Sequence, residues 1–214
     1  MSDPRPIGVF DSGVGGLTVL AEIQDRLPYE HTVYFGDTAR VPYGVRDPAE
    51  VRRFAFEIIH YLIGLDVKLV VVACNSASAV ALEAAQAEFD VPIVGVIEPG
   101  ARAAAIETIV RRVGVLATEV TVGSGAYRRA VHNLDAGIEV HEQACPEFVP
   151  LIERGVVDGP ELEGVARGYL RRPHDADDLG ASTYVCSADP AEFAALGGRF
   201  LGEEIEAAAS AAVI

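Results

Sequence analysis

Short apolar runs alternate along this chain with stretches whose apolar residues recur every three or four positions. The runs are strand-sized: "PIGVF" (6–10), "HTVYF" (31–35), "KLVVVA" (68–73) and "PIVGV" (92–96). Between them lie helical patterns. Leu17, Leu20, Ile23 and Leu27 fall on one side of the first, and Val51, Phe54, Ile58, Leu62 and Leu65 on one side of the second. The second opens on Asp47, Pro48 and Glu50, which supply a cap, a first-turn proline and an early acid. "SASAVALEAAQAEF" (76–89) is the third. Strands that are apolar throughout, separated by helices, predict an α/β fold with a parallel sheet covered on both faces.

A second unit of the same kind begins near Glu98-Pro99-Gly100. "RVGVLAT" (112–118) reads as a strand, 121–134 as a helix, "IEVHEQA" (138–144) as a strand and 146–154 as a helix. "GVLAT" (114–118) echoes "GVFDS" (8–12), which predicts two related lobes with a cleft between them. The tail "DPAEFAALGGRFLG" reads as a capped helix with Phe193, Leu196 and Phe200 on one face.

In open parallel sheets, ligands sit beyond the carboxyl ends of the strands. Those ends carry Asp11 and Ser12, then Cys74, Asn75 and Ser76, then Glu98, with the loop 36–44 over the same edge. Cys74 meets a helix N-terminus, where the dipole and free amides favour a thiolate. The blander reading of a buried strand-end cysteine is a small hydrophobe. Asp11-Ser12, taken by itself, reads better as a helix cap. "DSGVGG" is neither a dinucleotide fingerprint nor a phosphate loop. Cys145-Pro146 opens a helix and reads as packing. His31, His60, His132, His141 and His174 show no metal-ligand spacing, so no metal is expected.

Composition narrows the classes. Half of the 214 residues are hydrophobic, ample for a core. A formal charge of −15 argues against nucleic acid as a partner, and means that any anionic ligand must be held by local amides and hydroxyls. Three cysteines, without a CxxC pair, make a structural disulfide or a zinc knuckle a poor expectation. Lys68 is the single lysine, which leaves little scope for Schiff-base chemistry. The apolar runs are too short to span a membrane and no targeting segment is evident, so a soluble cytoplasmic protein is expected.

"IGVFDSGVGGLTVL", "YFGDTARVPYG", "VVVACNSAS", "PIVGVIEPGA", "GVLAT…TV" and "QACPEFVPLIERG" together resemble the glutamate racemase family. The likeness covers roughly residues 6–158 in order, and 184–202 is similar to that family's C-terminal end. The resemblance implies a cofactor-independent isomerase that supplies D-glutamate for peptidoglycan, with the amino acid held between two lobes. In that family one cysteine from each lobe faces Cα, one removing the proton and the other returning it from the opposite face. Cys74 matches the first-lobe cysteine, which faces the Cα hydrogen of the D-enantiomer, and Asp11 matches the acid that assists it. Ser12, Tyr43, Gly44, Asn75 and Ser76 match substrate contacts, with Ser76 in place of the usual threonine. Thr118 and Thr121 match contacts from the second lobe, and Glu153 matches an auxiliary acid. A homodimer is the assembly to look for.

The family's second cysteine lies in a glycine-cysteine-threonine-histidine-tyrosine-proline motif that is absent here. Cys186 falls near its position by counting, but "TYVCSADP" runs straight into the tail pattern. The sequence therefore reads as having lost an internal segment, joined near "RRPHDADDLGAS". The expected organisation is a first lobe at 1–98, a truncated second lobe at 99–180, and a tail at 181–214 packing back on the first lobe. The expected function is glutamate racemase chemistry impaired by loss of the second thiol. Two alternatives stand beside it: a one-cysteine enzyme working on one face of its substrate, and a non-catalytic binding protein.

Overall fold

The computed structural model describes residues 3–156, 158–170 and 183–186, the last four by backbone alone. Two parallel sheets organise the chain. The first has the order β2-β1-β3-β4, from β1 (Ile7–Asp11), β2 (Thr32–Gly36), β3 (Leu69–Val72) and β4 (Ile93–Gly95). The second has the order β6-β5-β7, from β5 (Arg112–Ala117), β6 (Glu139–Ala144) and β7 (Thr183–Cys186). The connections include the helices α1 (Gly16–Arg26), α2 (Pro48–Gly64), α3 (Asn75–Glu88) and α4 (Ile97–Glu107). Beyond β5 come α5 (Glu119–Ser124), α6 (Ala126–Leu134), α7 (Phe148–Glu153) and α8 (Gly159–Leu170).

The first sheet is buried on both faces, as its unbroken apolar strands require. Phe10, Val70 and Val72 point to one side and pack with Phe54, Ile58 and Leu62 of α2. Ile7, Val9, Leu69 and Val71 point to the other and meet Val19 and Ile23 of α1. In the second sheet, Val113, Val115 and Ala117 face Ile97 and Ala101 of α4 and Tyr127 and Val131 of α6. Leu116 faces Phe148, Ile152 and Tyr169 on the other side.

The helical periodicity needs adjusting in places. On α1 the buried stripe is Gly16, Val19 and Ile23, while Leu17 is exposed. Gly16, Val19 and Ile23 share one face at spacings of three and four, and Leu17, one position on from Gly16, falls off that face. On α2, Asp47 caps as the sequence indicates, its Oδ1 accepting from Ala49 N at 2.8 Å. Leu65, however, is the C-cap residue and is exposed. The single helix expected at 121–134 is two, separated by Gly125 at φ +65°, a left-handed conformation that interrupts helical hydrogen bonding. Residue 99, the expected lobe boundary, lies inside α4, whose buried face belongs to the second core. Helix α8 carried no recognised signal in the sequence reading.

The tail also departs from expectation where it is described. Residues 183–186 do not return to the first lobe; they pair with β5 as the third strand of the second sheet. The tail helix expected at 189–202 lies outside the described residues, as do residues 171–182 around the inferred join.

Leu62 and Leu65 separate the two readings of α2. Leu62→Ala should cost about 2–5 kcal/mol because it empties a fully buried site. Leu65→Ala should stay within about 0.5 kcal/mol. Urea midpoints at constant m-value check this pair, and similar losses from both would contradict the observed packing.

Candidate active site

The strands deliver their side chains to one edge. Asp11 closes β1, and its buried carboxylate Oδ2 accepts from the amides of Gly13 (3.0 Å) and Gly16 (3.1 Å). Cys74 follows β3 and serves as the N-cap of α3, its sulfur accepting from Ala77 N at 3.5 Å. The Cys74 thiol donates to Ser12 Oγ at 3.4 Å. The acid, the hydroxyl and the thiol thus meet at the carboxyl ends of two adjacent strands, where the sequence placed them.

Burial decides the state of the thiol. The helix N-terminus and the Ser12 hydroxyl favour a thiolate, but desolvation, with the Asp11 charge adding to it, pushes Cys74 up to about 12. The expectation that the helix end would hold a thiolate is therefore not met in this arrangement. The resting group is a thiol. Desolvation, and after it the Asp11 charge, also raise Tyr34, whose hydroxyl donates to Gly13 O at 3.2 Å.

The second lobe closes over this edge. Ser76 Oγ and Thr118 Oγ1 lie 2.9 Å apart, and Thr118 Oγ1 and Thr121 Oγ1 3.0 Å apart, giving a buried chain of three hydroxyls across the lobes. Tyr127 donates to Asn75 Oδ1 at 2.7 Å, and Val120 N donates to Gly44 O at 3.1 Å. Gly44 must be glycine here: a Cβ would lie 2.7 Å from both Cβ and Cγ2 of Thr118. From α7, Glu153 Oε1 occupies the space a side chain at Gly13 would need. Its carboxyl is raised by partial burial and then by Asp11.

Of the residues singled out from sequence, Asp11, Ser12, Cys74, Asn75, Ser76, Gly44, Thr118, Thr121 and Glu153 come together at this seam. Tyr43 is fully buried in the first core, its hydroxyl bonded to Asp37. Glu98 is exposed in the first turn of α4. Lys68 is buried at the amino end of the first sheet, paired with Glu30 at 2.5 Å, far from these groups in the strand register. Among the described residues, no group of three or more His, Cys, Asp or Glu side chains is arranged to hold a metal. Sequence reasoning missed Tyr34, Asp37 and Tyr127. The first two lie within or beside "YFGDTARVPYG" and could have been flagged there; Tyr127 carried no signal.

The pattern of the Asp/Glu/hydantoin racemase family matches residues 8–174. The chain is 50% identical over 209 residues to the glutamate racemase of Geobacter metallireducens, covering 97% of itself and 76% of that relative. The chain belongs to the glutamate racemase family. It is 52% identical over 171 residues to the Synechocystis glutamate racemase, covering 80% of itself and 61% of that relative. Among solved structures, glutamate racemase from Francisella tularensis in complex with D-glutamate superposes with a TM-score of 0.81 at 37% identity. That superposition covers 91% of this chain and 73% of the other. The chain thus spans three fifths to three quarters of the length of these glutamate racemases. Among its described residues, no helix is long and apolar enough to cross a membrane.

The pseudo-symmetry of the two sheets locates Cys186. Asp11 O accepts from Asp37 N at 2.9 Å, and Ala117 O accepts from Cys145 N at 2.8 Å, so Ala117 is the counterpart of Asp11 and Leu116 that of Phe10. Phe10 pairs with Val72, and Leu116 pairs with Cys186. Cys186 therefore takes the register of Val72, two residues short of the level of Cys74.

Alkylation of Cys74 tests the electrostatics. Its rate with iodoacetamide, followed by peptide mass spectrometry, should climb with pH and show no plateau below about pH 10, because the thiolate is the nucleophile. Asp11→Asn should raise the rate at every pH by removing a repelling charge. A plateau near the ordinary thiol value would contradict the burial argument.

Proposed function

We infer that this chain binds glutamate between its lobes and exchanges the Cα proton through Cys74, as a glutamate racemase whose first-lobe half-reaction is the complete one. The observation that carries this reading is the joining of Asp11, Ser12, Cys74 and Ser76 of the first lobe to Thr118 and Thr121 of the second. The family membership and the D-glutamate complex of the Francisella relative support it.

The chemistry follows from the charges. An empty site keeps Cys74 protonated. The ammonium of a bound amino acid is an opposite charge, and within about 4–6 Å it favours the thiolate. Asp11 stands next to the thiol to accept its proton. Cys74 then removes the Cα hydrogen of D-glutamate: the C–H bond breaks, an S–H bond forms, and the electron pair passes from Cα into the carboxylate. Hydroxyls and backbone amides at the seam would hold that developing charge without a cationic side chain. Ser12, Gly44, Asn75, Ser76 and Thr118 are the proposed substrate contacts. Tyr43 acts through its backbone, since its ring is buried in the core. No cofactor enters this scheme. Delivery of D-glutamate to peptidoglycan synthesis in the cytoplasm, by a homodimer, completes the reading.

Return of a proton from the opposite face needs a second acid. The register of Cys186, two residues short of the Cys74 level, favours its not filling that place. Incubation in heavy water should then introduce deuterium at Cα of D-glutamate faster than L-glutamate forms. Cys74→Ser should abolish the exchange, since a serine hydroxyl is rarely ionised near neutral pH, and Cys186→Ser should leave it unchanged. Racemisation in both directions that disappears on Cys186→Ser would assign the missing role to the tail cysteine. No exchange with either enantiomer would overturn the catalytic reading.

A further inference from the structure

We propose that Asp37 is a positioning residue of the site: through Tyr43 and Arg40 it clamps the loop 37–46 so that Gly44 meets the second lobe. This rests on the seam being the glutamate site. Asp37 follows β2, is almost fully buried, and ties its own amide to Asp11 O at 2.9 Å. Its carboxylate Oδ2 accepts from the Tyr43 hydroxyl and from Arg40 Nε at 2.6 Å. A buried carboxylate without partners would be costly, and these two donors satisfy it.

Both donors are themselves held by α2. Arg40 lies over the Phe54 ring, 4.2 Å from its centroid, and donates to Glu57 Oε2 at 2.5 Å. The Tyr43 ring stands 5.5 Å from Phe54. Arg46 Nε closes the far end of the loop on Arg40 O at 2.9 Å. Asp37 and the Phe54 face thus take the ties of Arg40 and Tyr43 at the middle of the loop, while Arg46 closes its end on Arg40 O and Glu50. The product of this bracing is the position of one peptide group: Gly44, next in sequence to Tyr43, accepts from Val120 N and leaves no room beside Thr118. The Asp37 carboxylate bonds to Arg40 and to the Tyr43 hydroxyl, and Tyr43 adjoins Gly44 at the seam. It acts through Tyr43.

The test uses the full chain with Asp37→Ala, which removes both bonds, Asp37→Asn, which keeps an acceptor for Tyr43 but drops the charge facing Arg40, and Tyr43→Phe. Amide hydrogen exchange, read by mass spectrometry, should quicken in peptides covering 40–46 and 118–122. The order should be Ala above Asn above the parent chain, with residues 69–72 of β3 unmoved. In the deuterium-exchange assay, KM for D-glutamate should rise about tenfold for Asp37→Ala while the saturating rate stays within about twofold, because a misplaced peptide weakens binding of ground state and transition state alike. Unchanged protection at 40–46 and 118–122 in all variants would overturn the proposal, as would a falling saturating rate at constant KM. If Asp37→Ala does not fold, Asp37→Asn and Tyr43→Phe decide the question by the same readouts. A parent chain that neither binds D-glutamate in calorimetry nor exchanges its proton sinks the functional reading instead, and the amide-exchange result then decides the clamp alone.

Discussion

The buried Asp11 carboxylate organises this structure. It closes the central strand of the first sheet, and the amides of Gly13 and Gly16 that point at its Oδ2 fold the chain into the turn that starts α1. Its backbone carbonyl receives Asp37 N, which brings in the loop carrying Tyr43 and Gly44. Its charge acts through space on three further groups, Cys74, Tyr34 and Glu153, raising each of them. One residue thereby sets the local fold and the entry of the loop, and its charge adds to the burial that raises the neighbouring acids.

This arrangement bears on how a chain with a formal charge of −15 could hold the acidic ligand proposed for it. The cations near the site are already committed: Arg40 to Asp37 and Glu57, Arg46 to Glu50. Beside the Asp11 and Glu153 carboxyls, the groups at the seam that can donate to an anion are neutral and directional, namely hydroxyls, an amide side chain and backbone N–H groups. Such donors are fixed by the helices and strands that bear them, so they need little reorganisation when charge develops. The thiol rests neutral, and in the function proposed above an opposite charge on the ligand would tie its ionisation to occupancy of the site.

The two lobes show how an internal repeat can persist in the backbone after its chemistry diverges. Strands β1 and β5 hold matching places, and Ser12 and Thr118 follow them with a hydroxyl each. Asp11 faces Ala117 in that correspondence, and Asp37 faces Cys145, so only the first lobe carries buried acids at these points. On the third strand, Val72 corresponds to Cys186, while the thiol of the first lobe stands two residues beyond Val72. Counting along the chain made Cys186 look like a replacement. Strand register separates the two.

The sequence by itself determined the α/β class, the parallel strands and the gathering of Asp11, Ser12, Cys74, Asn75 and Ser76 at one edge. Continuous apolar strands between helices leave few other ways to bury their faces, and strand ends fall on one side of a parallel sheet by construction. It also supplied the Asp47 cap, because that signal is local. Tertiary structure alone decided that Cys74 rests as a thiol. The sequence shows its helix N-terminus but not the depth of burial, and desolvation outweighs the dipole. It decided that Tyr43 faces the core rather than the cleft, that Leu17 and Leu65 lie outside the buried stripes, and that Thr183–Cys186 joins the second sheet. Each of these turns on which neighbour reaches a residue through space, and neither periodicity nor spacing along a chain contains that distance.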